Sequence, residues 1–379
     1  MEEELENGIA LMDGILQNWA NENKGKYHIF FPKCTKENDK DVVLFPIFEE
    51  NKNGTLNLKV WAKYNLENYS LEDYLDVKNK IILFDKKLIN YKKKKFAQFE
   101  NEYLDLIPCD ERNGTVILKD ATPDIIFLGS DQIWNPDITH GFDRVYFGDI
   151  IVNAPFRAAS YAASIGKKNF TEEEKTGFAE LIQKVEDVSV REKEAQIMIE
   201  QEFGKKVKVV VDPTILAGKM CFESLAKPVP YKKYLLFYSL TGMKESAAMA
   251  DKVARYCGYE LVELSGRRKP YIVPQHTTIY DAGPIDFVSL FYNAEYIVTD
   301  SFHGTVFSLL FHKKFISLAN KKRGGRITGL LEAVGLIHHC TDRFDREIVL
   351  EEIAWDEVDR KIEEMRAESI DYIMRVMGE

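Results

Sequence analysis

His303 has the widest chemical reach of any residue in this sequence. It stands in Asp300-Ser301-Phe302-His303-Gly304, between a run that reads as a strand (295–299) and one that reads as a helix (305–311). An imidazole titrates near neutrality, so it can donate a proton or bind an oxyanion. A single histidine is most often structural. Here the position favours function, because Gly304 permits close backbone approach and a helix start favours an anion.

Asp131 lies in Gly129-Ser130-Asp131-Gln132-Ile133-Trp134-Asn135-Pro136. Such a cluster either caps a helix and builds turns, or offers a carboxylate to a substrate hydroxyl. Trp134 either packs or gives a sugar ring a surface to stack on. Arg191 follows one strand and precedes a helix. Its guanidinium fork suits a carboxylate or a phosphate, and a surface ion pair with Glu192 or Glu194 is the plainer reading. Lys321-Lys322-Arg323-Gly324-Gly325-Arg326 gathers four cations and two glycines after a strand near the His303 loop. It is either a solvated loop or an anion-binding lid.

The elements needed to hold these residues are legible from residue 124 onward. Apolar runs at 124–128, 157–163, 187–190 and 207–211 read as buried parallel strands, each followed by a polar cluster. Helices are expected at 171–184, opened by a Thr171/Glu174 capping box, and at 192–203, closed by Gly204. A Pro-containing linker at 226–231 precedes strands at 234–240, 260–264, 295–299 and 314–318. Helices at 245–257, 285–292 and 305–311 alternate with them, and 355–377 reads as one or two charged helices. This alternation predicts two open parallel α/β sheets, whose ligands bind beyond the strands' carboxyl ends. The first 120 residues are harder to read, with helices at 12–23, 70–74 and 88–102 and strands at 42–48 and 56–61. The expected division is a Rossmann-like domain over 1–225, a second over 226–345, and a helical segment over 346–379.

Composition excludes other classes. The 379 residues are 45% hydrophobic and 30% charged, enough for two buried cores. A net charge of −10 argues against a general nucleic-acid binder. The basic run Lys92–Lys95 reads as a solvated helix face. No apolar stretch approaches the roughly 18 residues of a membrane span. The acidic start, Met1-Glu2-Glu3-Glu4, is unlike a secretory leader, so a cytoplasmic protein is expected, compatible with peripheral membrane association. Five scattered cysteines form no CxxC pair, and neither a disulfide framework nor structural zinc is expected. Signatures for P-loops, dinucleotide sites, zinc proteases and esterases are missing.

Five segments together resemble the polysaccharide pyruvyl transferase family: GSDQIWNP (129–136), SYAASIG (160–166), SVREKEA (189–195), VDPT (211–214) and TDSFHGTVFSLLF (299–311). GRITGLLEAVGL (325–336) fits as well. The resemblance implies a two-domain glycosyltransferase-B-type architecture with an interdomain cleft. It implies transfer of a pyruvyl unit from phosphoenolpyruvate to two hydroxyls of a sugar in a cell-surface polysaccharide or its precursor. Lipid-linked or nucleotide-linked acceptors are expected, with no cofactor or metal. A nucleotide-sugar glycosyltransferase and a non-catalytic glycan- or anion-binding member are the alternatives.

By position, Asp131, Arg191 and His303 match residues implicated at the family's active site. His303 is expected as general acid and Asp131 as base or hydroxyl orienter. Arg191, with Arg323 or Arg326, would clamp the anionic donor. Ser164, Ser301, Gly304, Lys322 and Trp134 complete the candidate substrate contacts. Ser301 occupies a position that is often Arg in characterised members, and the strand that usually precedes a helix like Leu16-Gln17-Asn18-Trp19-Ala20 is not recognisable.

Overall fold

The computed structural model describes residues 27–29, 33–37, 40–50, 56–65, 90–107, 109–112, 115–118, 121–242, 244–265, 276–319 and 325–378. The helices expected at 12–23 and 70–74, together with Lys322 and Arg323, lie outside them. The fold is mixed α/β on parallel sheets, as expected. The chain forms two compact units, each drawn from separated stretches: Met1–Leu104 with Ala226–Val298, and Asp105–Leu225 with Thr299–Glu379. The two units interleave along the chain, in contrast to the consecutive segments expected from the strand–helix alternation and the linker at 226–231.

The second unit carries every described candidate residue. Its main sheet follows chain order. Ile125–Leu128 pairs in parallel with Arg157–Ser160, and Val188–Val190 with Val207–Val209. Parallel bridges Ala159–Asp187 and Ala163–Val190 join the two pairs. Alternate residues of a strand face opposite sides of a sheet. Ala158 accordingly packs into one apolar cluster and Ala159 into another.

The first cluster is built on helices Glu172–Ile182 and Lys193–Phe203, with Trp134, Phe147 and Phe178 at its centre. The Thr171/Glu174 capping box and the left-handed Gly204 end these helices where expected. The second cluster seats the long helix Trp355–Met377 through Tyr372 and Val376. Polar contacts fix its register: the Tyr372 hydroxyl donates to Ser160 O at 2.9 Å, and the Val211 N–H donates to Ser369 Oγ at 3.0 Å.

The later stretch of this unit adds helix Phe302–Leu310, strand Lys314–Ser317 and helix Gly325–Val334. The Leu318 N–H donates to Thr299 O at 2.8 Å, which ties the strand to the start of the His303 loop.

Among its described residues, the first unit combines an antiparallel and a parallel sheet. Strand Lys40–Glu50 is the centre of an antiparallel sheet and pairs with Tyr27–Ile29, Lys33–Glu37 and Leu56–Asn65. This sheet departs from the all-parallel expectation. The parallel sheet runs Thr277–Ile279, Glu260–Leu264, Tyr234–Tyr238, then Tyr296–Thr299. Helix 90–103 carries the basic run, and Lys95 is not fully solvated. Its Nζ lies 3.2 Å from Asp281 and 2.9 Å from Asp286.

Trp134 is fully buried, stacked on Phe147 with centroids 5.5 Å apart and edge-on to Phe178. Its Nε1 donates to Tyr146 O at 2.9 Å. Trp134→Ala is expected to cost about 3–5 kcal/mol, read from the urea midpoint. A loss below about 1 kcal/mol would place the core of this unit elsewhere.

Candidate active site

Four parallel strands end at Leu128, Ser160, Val190 and Val209. Just beyond those ends stand Asp131, Ser164, Arg191 and Asp212, where an open α/β sheet presents its ligands. Gly129 lets the first loop approach the next one, because a Cβ there would lie 2.0 Å from Tyr161 O. Asp131 has φ 62, the left-handed region that Asp tolerates better than most residues. Its carbonyl accepts from the Ile133 and Ser164 N–H groups at 2.9 and 2.8 Å. The backbone is therefore pinned while the carboxylate stays exposed.

Arg191 is the hub. Its side chain is only 3% exposed, so its charge requires partners. Nη1 donates to Asp212 Oδ2, and Nη2 donates to Asp131 Oδ1 at 3.1 Å. The guanidinium also lies over the Phe302 ring, 4.9 Å from its centroid. Arg326 approaches the same ring at 5.8 Å. Its Nη1 is 3.7 Å from Asp131 Oδ1, and its Nε is 3.9 Å from Glu192 Oε1.

Asp212 is 1% exposed and serves three partners. Oδ1 accepts from the Thr214 N–H at 2.9 Å and starts the short helix Pro213–Ala217. Oδ2 faces both Arg191 and His303 Nε2, the latter at 3.6 Å. Burial alone would raise this carboxyl. His303, Arg191 and the Thr214 N–H outweigh it and hold Asp212 well below the usual carboxylate range. Glu192 goes the other way. Burial pushes its carboxyl up despite the Ser164 hydroxyl and the two arginines.

The structure brings Asp131, Arg191, His303 and Arg326 together around Asp212 and Phe302. His303 is 38% exposed on its side chain. It sits inside the first turn of its helix, not in the preceding loop, because the helix begins at Phe302, three residues earlier than expected. Ser301 is the reason: its buried Oγ accepts from the Gly304 N–H at 3.3 Å and caps the helix. Gly304 is packed against Thr299, whose Oγ1 a Cβ would meet at 2.3 Å. Ser164 is buried and donates to Glu192 Oε1. These three residues support the site from beneath, and the buried Trp134 ring offers no face to a sugar.

Asp212, Glu192 and Phe302 were not anticipated as site residues. The signal for Asp212 was its place after a strand in Val211-Asp212-Pro213-Thr214, which otherwise reads as a helix cap. A cavity of about 500 Å³ opens beside Arg191, Glu192, Asp212, Phe302 and Arg326 and extends to Ser369. It is within the usual range for small-molecule sites.

Residues 51–322 match the family described as polysaccharide pyruvyl transferase. The chain belongs to that family. No curated protein gives a significant match. Among solved structures, the chain is similar to the UDP-GlcNAc 2-epimerase of Methanocaldococcus jannaschii in complex with UDP-GlcNAc and UDP. Identity is 14%, coverage is 72% of this chain and 80% of the epimerase, and the TM-score is 0.36. The UDP-GlcNAc 2-epimerase of Neisseria meningitidis bound to UDP-GlcNAc is similar at 10% identity, covering 76% and 82%, with a TM-score of 0.35. Among the described residues of this family member, no helix is long and apolar enough to cross a membrane.

Asp212→Asn is expected to destabilise the protein by about 3–5 kcal/mol at neutral pH, because it leaves Arg191 under-compensated. The native carboxyl titrates lower than the unfolded one. Its stabilisation is thus complete above about pH 4 and is lost as pH falls through the native value. Urea midpoints of wild type and variant should converge on acidification. A gap that stays constant down to about pH 3 would contradict the assignment.

Proposed function

We propose that this chain transfers a pyruvyl group from phosphoenolpyruvate to two hydroxyls of a sugar in a cell-surface polysaccharide or its precursor. The products are a pyruvate ketal and phosphate. The observation that carries this reading is the half-exposed His303 imidazole facing the buried Asp212 carboxylate beside two guanidiniums. Family membership supplies the pyruvyl chemistry.

Ketal formation needs an acid for the donor's methylene carbon, cations for its carboxylate and phosphate, and a base for the attacking hydroxyls. With His303 Nε2 turned to Asp212, Nδ1 is the nitrogen left for the donor. Asp212 faces the other ring nitrogen and orients the imidazole, much as a buried carboxylate does in an Asp–His pair. Proton transfer from Nδ1 to C3 leaves an oxocarbenium-like C2. The first sugar oxygen bonds to C2 and its proton passes to Asp131. The C2–O bond to phosphate then breaks, the electron pair leaving on phosphate, which takes up the proton held by Asp131. The second oxygen closes the ketal, and its proton returns to the neutral His303.

Arg191 acts mainly as a positioning residue in this scheme, since two carboxylates already neutralise it. Arg326 lines the cavity beside Phe302 and is the second cation offered to the donor's anionic groups.

The test is phosphate release from phosphoenolpyruvate with a panel of lipid-linked and nucleotide-linked hexose acceptors. Acceptor-dependent release is expected. His303→Ala should lower kcat by about 100-fold or more, and Arg326→Ala should chiefly raise KM for the donor, by about tenfold. Release that is unchanged in His303→Ala would remove the imidazole from the mechanism. No release with any acceptor, together with no donor binding by calorimetry, would overturn the donor assignment.

A further inference from the structure

His338, His339 and Glu351 make a second cluster in the same unit, and share no residue with the Arg191 site. His338 and His339 lie in the short turn Ile337–His339, and Glu351 caps the carboxyl end of helix Arg346–Leu350. His338 Nε2 is 2.8 Å from Glu351 Oε2, and His339 Nε2 is 3.4 Å from the same oxygen. One nitrogen of each imidazole and one carboxylate oxygen all lie within 4.8 Å of one another.

The protonation of His339 follows from its surroundings. Its ring is buried, stacked on Phe315, with Nδ1 2.9 Å from Phe315 O. A carbonyl only accepts, so Nδ1 carries the hydrogen. In the neutral ring, Nε2 is then a lone pair, and this buried atom has no hydrogen-bond partner. It is aimed at a carboxylate oxygen, which is also an acceptor. Two acceptors at 3.4 Å repel unless a proton or a metal cation lies between them.

We propose that His338, His339 and Glu351 bind a divalent first-row transition metal, zinc foremost. Two imidazoles and one carboxylate are a zinc-type donor set, whereas magnesium and calcium prefer oxygen alone. A tetrahedral ion with ligands at about 2.0–2.1 Å separates its donor atoms by about 3.3 Å. The two nitrogen–oxygen separations, 2.8 and 3.4 Å, bracket that value. The Nδ1–H to Phe315 O bond is the outer contact that a metal-bound histidine usually makes, and it fixes the required tautomer. His338 and Glu351 are partly exposed, which gives an ion a path in and leaves a fourth position for water.

The metal would clip three pieces of chain together: the 337–339 turn, strand Lys314–Ser317 through Phe315, and the exit of helix Arg346–Leu350. Its role is structural. Cysteine spacing gave no hint of it, because the donors are adjacent histidines and a carboxylate from a later helix end.

The test titrates metal-free, full-length protein with Zn²⁺ against a chromophoric chelator, and separately with Co²⁺ followed by visible absorption. One equivalent is expected, with d–d bands of a low-coordinate Co²⁺ and a higher unfolding midpoint in Zn²⁺. His338→Ala and Glu351→Gln replace partly exposed groups, so folding should survive. Each should weaken binding by at least about tenfold and abolish the bands. His312→Gln removes another carboxylate-paired imidazole and should change nothing. Failure of wild type to bind either ion, or equal affinity in both site variants, would overturn the proposal and leave a plain histidine–carboxylate ion pair.

Discussion

The second unit is arranged around one unavoidable cost, the burial of the Arg191 charge. A guanidinium that is almost completely removed from water must be met by carboxylates held at fixed distances. Asp212 and Asp131 meet it from loops at the carboxyl ends of two different strands. Those loops stay in place only while the strands stay in register. The parallel pairing, the left-handed backbone at Asp131 and the cap at Asp212 are thus all coupled to one side chain. Phe302 covers the guanidinium from the first turn of the His303 helix, whose start Ser301 caps.

This coupling explains why one carboxylate can serve three roles. Asp212 neutralises Arg191, starts a helix and faces His303, and each partner lowers its tendency to protonate. The result is a permanently charged group beneath an imidazole whose other nitrogen is free to face a substrate. Glu192, a few ångströms from Arg326, lies in the same pocket with the opposite bias. Two buried carboxyls with opposed tendencies divide the pocket into a fixed anion and a group more readily neutralised.

Much of this was legible in the residues. The largely apolar runs at 124–128, 157–163, 187–190 and 207–211 announce buried parallel strands, and Thr171, Glu174 and Gly204 announce their helices' ends. Asp131, Arg191 and His303 stand out because they follow such strands. Asp212 did not, since an Asp before Pro-Thr has a sufficient local explanation as a cap. Its second role depends on strand alignment, which no local pattern encodes. Trp134 failed as a surface candidate for a related reason: an aromatic in a polar loop looks exposed until Phe147 and Phe178 fold over it. The interleaving of the two units was equally hidden. One crossing falls at Val298–Thr299, inside a strand, where no linker composition marks it.

That interleaving bears on how the protein is made. Asp131, Arg191 and Asp212 emerge from the ribosome early. The stretch Ala226–Val298 then builds the other unit before Phe302, His303 and Arg326 appear. Helix Trp355–Met377, which packs on the second apolar cluster, follows later still. The buried charge group is therefore closed over only once the intervening stretch has been made, and a nascent chain carries a half-built pocket until Phe302 and Arg326 appear.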